Sequence, residues 1–198
     1  MRYLESKAKR CRATGHNLYG NAKFDRLKKQ YPPGQHGAAR KKRSDYALQL
    51  MAKQTIRWTY GVNERQLVKL YEEAAKAKAV TGTLLLQLLE RRLDNVVYKS
   101  GMFAGRDQCR QLVSHGHVLV NGKRMTIASA RMQPGDKITF AEKSQKFITA
   151  ITEGRSQVVP DWLTVDAKTF TITFNMPPER EQIDQTFNEQ LLVEYYSR

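Results

Sequence analysis

LLLQLLERRLDNVVYKSGMFAGRDQCRQLVSHGHVLVNGKRMTIASARMQPGDKITF, residues 84–140, is the stretch that decides the fold. Leu86, Leu89, Leu93, Val96 and Val97 recur at helical spacing, and Gly101 can end the run with positive φ, so one amphipathic helix is expected. A second, shorter helix is expected from Gly105 to His115, where Cys109, Leu112 and Val113 form an apolar stripe beside Arg106 and Arg110. Gly116 would terminate it. The period then becomes strand-like, because Val118, Leu119 and Val120 lead into Asn121-Gly122, a strong signal for a tight hairpin turn. Arg91, Arg92, Arg106 and Arg110 on the helices, with His115, His117, Lys123 and Arg124 around the hairpin, could converge on one face and offer donors to phosphates.

The balance of charge points the same way. The 198 residues carry a formal net charge of +15. Residues 1–60 hold 15 Lys and Arg against 3 acids, residues 61–155 hold 16 against 9, and residues 156–198 hold 3 against 7. Such asymmetry suits a nucleic-acid binder, since each neutralised phosphate releases counterions. An anionic membrane is the rival partner, but no basic amphipathic helix of the interfacial kind stands out. No apolar run approaches a membrane span of about 18 residues, and the basic N-terminus lacks a secretory core, so an intracellular protein is expected. Cys11 and Cys109 sit in no metal-like spacing; neither disulfide staples nor zinc are expected.

Residues 1–43 show no apolar periodicity and read as a basic arm that orders on RNA, with Tyr3, Tyr19, Phe24 and Tyr31 scattered among its cations. Within it, PPGQHG at 32–37 offers a tight turn, close backbone approach at Gly37 and directional hydrogen bonds from Gln35 and His36, beside Arg40, Lys41, Lys42 and Arg43. Ser44 should cap a helix running to Gly61, with Tyr46, Leu50 and Trp58 inward and Lys53 and Arg57 on one face. Asn63 should cap a second helix with Leu67, Leu70 and Tyr71 inward. Beyond the hairpin, PGD at 134–136 turns into KITF, 143–152 reads as a short helix, and 162–165 and 170–174 read as strands. Residues 183–196 mix helical spacing with a β-branched, aromatic end and are undecided by pattern.

The order RRLDNVVY, RQLVSHGHVLVNGKR and PGD resembles a small RNA-binding module named after the fourth protein of the small ribosomal subunit. RYL at 2–4, PGQHG at 33–37, SDYALQL at 44–50, YGVNERQ at 60–66, LLERRLDNVVY, WLTVD at 162–166, PERE at 178–181 and NEQLLVEYYS at 188–197 extend the likeness. Together they resemble the bacterial and plastid S-four family of ribosomal proteins, in its zinc-free form, over nearly the whole chain. The resemblance implies an α+β fold: a helical domain plus an RNA-binding module of short helices on a small, mainly antiparallel sheet, with an extended basic N-terminal arm. It implies an arm at 1–43, a helical domain at 44–88 completed by 176–198, and an inserted RNA-binding domain at 89–175 with its core module at 89–150.

The resemblance further implies a structural, non-enzymatic protein of the small subunit that nucleates assembly on ribosomal RNA, touches an S-five type neighbour that influences decoding accuracy, and lies by the messenger-RNA path. Cytoplasmic or organellar ribosomes are its implied location, with no cofactor, metal, membrane or small-molecule substrate. Contacts to ribosomal RNA are expected from Arg2, Lys7, Lys9, Arg10, Arg12, Gln35, His36, Gly37, Lys53, Gln54, Arg57, Tyr60, Arg91, Arg92, Arg106, Arg110, Gln111, His115, His117, Asn121, Lys123 and Arg124. Arg40, Lys41, Lys42 and Arg43 are expected nearest the messenger. The chain departs from the family's usual pattern in having Cys11 alone where some members bind zinc, Glu5-Ser6 in place of Gly-Pro, and Cys109 in place of alanine. Two other readings use the same module: an RNA-modifying enzyme with Asp94 catalytic in its Arg92-Leu93-Asp94 setting, and a ribosome-associated rescue or stress factor. Against the enzyme, an ion pair between Asp94 and a neighbouring arginine is the ordinary expectation on a helix.

Overall fold

A computed structural model describes residues 6–39, 42–152, 158–166 and 168–197. The chain divides into two compact units, one formed by Met1–Leu86 with Asp184–Arg198 and the other by Gln87–Ile183. The class is α+β, with all the strands in the second unit.

In the first unit α1 (Lys7–Thr14) and α2 (Ala22–Asp25) precede α3 (Asp45–Tyr60) and α4 (Glu64–Lys76), and α9 (Glu189–Tyr196) returns from the far end of the chain. The caps follow the sequence closely. The Ser44 hydroxyl accepts from the Ala47 N–H at 3.3 Å, and the Asn63 side chain accepts from the Gln66 N–H at 2.8 Å. Gly61 ends α3 with φ of 61°. The inward face of α3 differs from the one expected. Tyr46 is exposed and Leu50 and Trp58 are half-buried, while Gln49, Lys53, Ile56 and Tyr60 are buried. These last four are spaced for one helical stripe, but its two polar members hid it from a reading by hydropathy. Of the segment undecided by pattern, 183–188 is irregular and places Phe187 against Tyr60, while 189–196 is a helix whose Tyr195 and Tyr196 meet Tyr46 of α3 and Tyr71 of α4.

The basic N-terminal segment is not uniformly extended. It carries α1 and α2, and its cations hold it down. Arg10 lies 5.4 Å from the Trp58 ring centre, and Arg12 donates to the carbonyls of Tyr31 and Pro32 at 3.0 and 3.3 Å. Cys11 and Leu18 are buried beneath them. An apolar-periodicity test misses such a segment because guanidinium and ring contacts, rather than an aliphatic stripe, anchor it.

The long helix expected through residues 86–97 is two helices. α5 (Thr81–Glu90) stops, and α6 (Leu93–Lys99) begins after a two-residue break at Arg91-Arg92, of which Arg92 is extended. The loop at 128–132 causes the break. Ala130 and Ala128 offer carbonyls to the N–H groups of Leu93 and Asp94 at 2.8 and 3.2 Å, and the Met132 N–H donates to the Arg91 carbonyl at 2.8 Å. Those bonds serve N–H groups at the start of α6 that no intrahelical acceptor reaches.

α7 (Arg106–Ser114) follows, and then the sheet. Strands β1 (Val118–Val120), β2 (Lys123–Arg124), β3 (Lys137–Phe140), β4 (Leu163–Asp166) and β5 (Thr171–Phe174) form a five-stranded antiparallel sheet in the order β2-β1-β3-β5-β4. The Asn121-Gly122 turn takes positive φ at both residues, 50° and 78°, as the hairpin signal requires. α8 (Gln145–Thr152) extends a short 3-10 turn at Glu142–Ser144. Leu93, Val96 and Val97 of α6, Cys109, Leu112 and Val113 of α7, Ile148 of α8, and Val118, Ile138, Trp162, Ile172 and Phe174 make one core.

Ile172 lies in that core with no exposed surface, whereas Ile127 is 59% exposed. Ile172→Ala is expected to destabilise the Gln87–Ile183 unit by about 2–5 kcal/mol. Ile127→Ala should stay within about 0.5 kcal/mol. Urea titrations of both variants check the contrast.

Candidate nucleic-acid interface

Two polar chains of contacts organise the arginines of the second unit. In the first, Asp94 on α6 is 3% exposed and receives Arg110 of α7 through Nε at 2.8 Å and Nη2 at 2.5 Å. Arg92, itself buried, forms an ion pair with the other carboxylate oxygen at 3.3 Å, in an alignment that makes no hydrogen bond. In the second, buried Glu90 accepts from Asn95 at 2.6 Å, and the Asn95 side-chain oxygen accepts from Arg106 Nε at 2.8 Å. The Arg106 guanidinium also stands 4.4 Å from the centre of the Tyr98 ring. Arg106 and Arg110 are one turn apart on α7, each held at one edge by a buried group. A guanidinium is planar with its N–H donors in a fixed fork, so a partner at one edge fixes the orientation of the whole group.

At the other end of α7, Arg124 of β2 reaches back to donate to the His115 carbonyl at 3.2 Å. Gly116 has φ of 75°, and a Cβ there would overlap the Arg124 guanidinium, so the close approach needs glycine. His117 shares a 2.7 Å hydrogen bond with the buried Ser144 hydroxyl, and its ring stands 6.1 Å from that of His115. Asn121 is engaged within the protein: its amide donates to Asp136 at 2.8 Å and its oxygen accepts from the Lys137 N–H at 2.9 Å. Gln111 and Lys123 are exposed, and Arg91 is half-buried with its Nε on the Met132 carbonyl at 2.9 Å.

In the first unit, the cations singled out in the sequence do not all face outward. Lys53 is 5% exposed; its Nζ lies 3.0 Å from Glu64 and 3.3 Å from the Tyr195 hydroxyl. Arg57 reaches the other oxygen of Glu64 at 3.4 Å and Gln54 at 3.3 Å, and Tyr60 is buried. The Tyr196 hydroxyl donates to Glu64 at 2.8 Å. Lys53, Gln54 and Arg57 are thus joined in a cluster around Glu64 rather than a plainly displayed row, and α9 adds the Tyr195 and Tyr196 hydroxyls that sequence order does not reveal. Arg10 is buried likewise, and Lys7 stands 5.0 Å from the Tyr19 ring centre. Lys9, Gln35, His36, Lys42 and Arg43 are exposed, and Gly37 is half-buried where a Cβ would strike the Pro32 carbonyl. Arg2, Arg40 and Lys41 lie outside the described residues.

Sequence reasoning missed Glu90, Asn95, Tyr98 and Ser144, the neutral or acidic partners of the cations. Only Asn95 carried a signal, as a polar residue beside Asp94 inside an otherwise apolar run. Asp94 itself is packed between arginines, as an ion-pair reading of the helix expects. Among the described residues no group of three or more His, Cys, Asp or Glu could hold a metal ion, and no helix is long and apolar enough to cross a membrane. Burial pushes the Cys109 thiol well up from its ordinary value, and the Asp94 charge adds to the rise.

An arginine-bearing helix pair joined to a basic hairpin is an RNA-binding module, and residues 91–138 match the S4 domain family, while residues 2–90 match the family described as Ribosomal protein S4/S9 N-terminal domain. The chain is 46% identical to "Small ribosomal subunit protein uS4" of Rubrobacter xylanophilus, with all of this chain and 99% of that protein covered. With the proteins of the same name from Akkermansia muciniphila and Thermus thermophilus it shares 48% and 44% identity, again over the whole chain and 99% of each relative. The chain belongs to the small ribosomal subunit protein uS4 family. It is a ribosomal, RNA-binding structural protein and not an enzyme.

Burial pushes the Glu64 carboxyl up, but hydrogen bonds from Lys53 and Tyr196 and the charges of Lys53 and Arg57 outweigh it and hold the group below its ordinary value of 4.5. A depressed folded pKa contributes stability that is present above the unfolded value and lost as pH falls through the folded one. The docking of α9 should therefore weaken progressively below about pH 4.5, and Glu64→Gln should abolish that part of the dependence. Acid titrations of unfolding for the two proteins, compared by difference, check it.

Proposed function

We propose that the chain is a primary binder of small-subunit ribosomal RNA that recognises a multi-helix junction and nucleates assembly of the subunit body. The observation that carries this reading is the α7 arginine pair: Arg106 and Arg110 are aimed by buried Asn95 and Asp94, in a chain similar to uS4 proteins from end to end. Cations fixed in this way select RNA by shape, because rigidly placed charges suit only phosphates presented at the matching spacing. The net charge of +15 supplies the salt-sensitive affinity beneath that selectivity.

The 89–175 segment is proposed as the inserted RNA-binding domain, with 1–43 as an arm along RNA and 44–88 with 176–198 as the helical domain. Direct contacts are assigned to Arg2, Lys7, Lys9, Arg12, Gln35, His36, Gly37, Arg106, Arg110, Gln111, His115, His117, Lys123 and Arg124, with Arg91 and Asn121 at the edge. The buried Arg10, Lys53, Arg92 and Tyr60, with Gln54 and Arg57, shape the surface that others present. Arg40, Lys41, Lys42 and Arg43 are proposed to line the messenger-RNA path. An acidic segment at 156–198, with 7 acids against 3 cations, suits a protein neighbour of the S-five type rather than phosphate, and through it an influence on decoding accuracy. A ribosome of bacterial cytoplasm or an organelle is the compartment this reading requires.

Binding to a small-subunit ribosomal RNA junction fragment and to an equal-length unrelated RNA, across a salt series, tests the reading. Neutralising about 8 phosphates would give log K a slope near −7 against log salt, at roughly −0.9 per phosphate as for duplex DNA, with a junction preference persisting at high salt. Equal affinities would leave only a basic protein. Arg106→Ala and Lys123→Ala should weaken binding and make the slope shallower by about 1 each, while Lys76→Ala on α4 should not. Arg110→Ala also removes a counter-charge from the buried Asp94, so its loss of RNA affinity should come with a larger loss of stability than that of Arg106→Ala, which removes only a hydrogen bond to the neutral Asn95 and a ring contact with Tyr98.

A further inference from the structure

Phe147 on α8 is 53% exposed. One exposed aromatic is ordinary on a protein surface, but this one has company. Its ring stands 6.2 Å from that of His117 at an interplanar angle of 36°, and His117 stands 6.1 Å from His115 at 43°. The His117 ring is fixed by the 2.7 Å bond to Ser144, a buried hydroxyl at the end of the 3-10 turn that leads into α8. Arg124, drawn over Gly116 onto the His115 carbonyl, continues the row with a second kind of flat, cationic surface. Lys143 and Lys146 precede Phe147 within four residues, and the only acid in the sequence from 142 to 152 is Glu142.

We propose that Arg124, His115, His117 and Phe147 form a platform on which an unpaired RNA base stacks, Phe147 and His117 taking the base while Arg124 and Lys143 take adjoining phosphates. The inference rests on the RNA-binding reading above and adds a residue beyond the S4 domain match, which ends at residue 138. A protein partner would be expected to bury an exposed Phe among apolar neighbours. Here the Phe147 ring meets the His117 imidazole, Arg124 lies one step further along at His115, and two lysines lie within four residues in sequence, a composition suited to single-stranded nucleic acid. The loop after α7, the hairpin and α8 each supply part of the row, so the sheet holds the spacing of the rings.

The test uses the full chain with the ribosomal RNA junction fragment carrying unpaired nucleotides and with a fully paired duplex of equal length. Phe147→Ala should lower affinity for the junction about 5- to 150-fold, the range for losing one stacked base. It should leave both the salt slope and the duplex affinity unchanged, because no phosphate contact is lost. Phe147→Trp should retain affinity, and its added indole emission should be quenched by the junction RNA. Lys143→Ala should instead make the slope shallower. Since Phe147 is half exposed, the unfolding midpoint of each variant should match the parent, and that measurement separates lost stacking from lost fold. Unchanged junction affinity in Phe147→Ala, or an equal loss on the duplex, would overturn the platform. A parent chain that binds junction and unrelated unpaired RNA alike would sink the junction reading alone, with Phe147→Ala still reporting on the platform.

Discussion

Asp94 carries a charge into the protein at 3% exposure, and the architecture of the second unit is arranged around meeting that cost. Removing a carboxylate from water costs several kcal/mol unless its attraction to nearby cations and its hydrogen bonds offset the loss. Arg110 from α7 and Arg92 from the break before α6 provide that offset. Arg92 stands at the break between α5 and α6, which the 128–132 loop makes by accepting from the first N–H groups of α6. The same acid also fixes the guanidinium of Arg110 on the neighbouring helix. Asp94 is engaged by two arginines, as the ion-pair reading of its Arg-Leu-Asp setting expects.

The first unit applies the same principle with a different acid. Glu64 on α4 gathers Lys53 and Arg57 from α3 and Tyr196 from α9, and so ties the last described helix to residues more than a hundred positions earlier. The Tyr196 hydroxyl is correspondingly pushed far above its ordinary value by burial and by the Glu64 carboxylate it donates to. A strongly basic protein that must fold before or during its encounter with RNA has to keep its cations from repelling one another. Half-buried Glu64 in the first unit and buried Glu90 and Asp94 in the second serve that need.

Much of this was legible in the residues. Ser44, Asn63, Gly61 and the Asn121-Gly122 turn act where local chemistry alone demands them, because a cap or a tight turn involves atoms only a few positions apart. The apolar stripe of α7 and the strand alternation at 170–174 follow from period, and the run of family-like motifs pointed to the family that full-length relatives establish. The cationic residues of the candidate interface were legible as types, since nothing but phosphate or acid suits so many of them.

What the chain did not disclose is which of those cations are displayed. Lys53, Arg10 and Arg92 look no different in sequence from Lys9 or Arg106, yet they are buried, because Glu64, Trp58 and Asp94 reach them only after distant segments pack. The continuous helix implied by Leu86 to Val97 was broken by hydrogen bonds from a loop some forty residues away, and the inward face of α3 was chosen by α9 rather than by hydropathy. The sequence by itself thus determined the local elements, the sign of the surface and the family. The tertiary structure decided where a helix stops, which face it buries and which charges remain for RNA, because each of those outcomes depends on desolvation and partner geometry that exist only once remote residues are brought together.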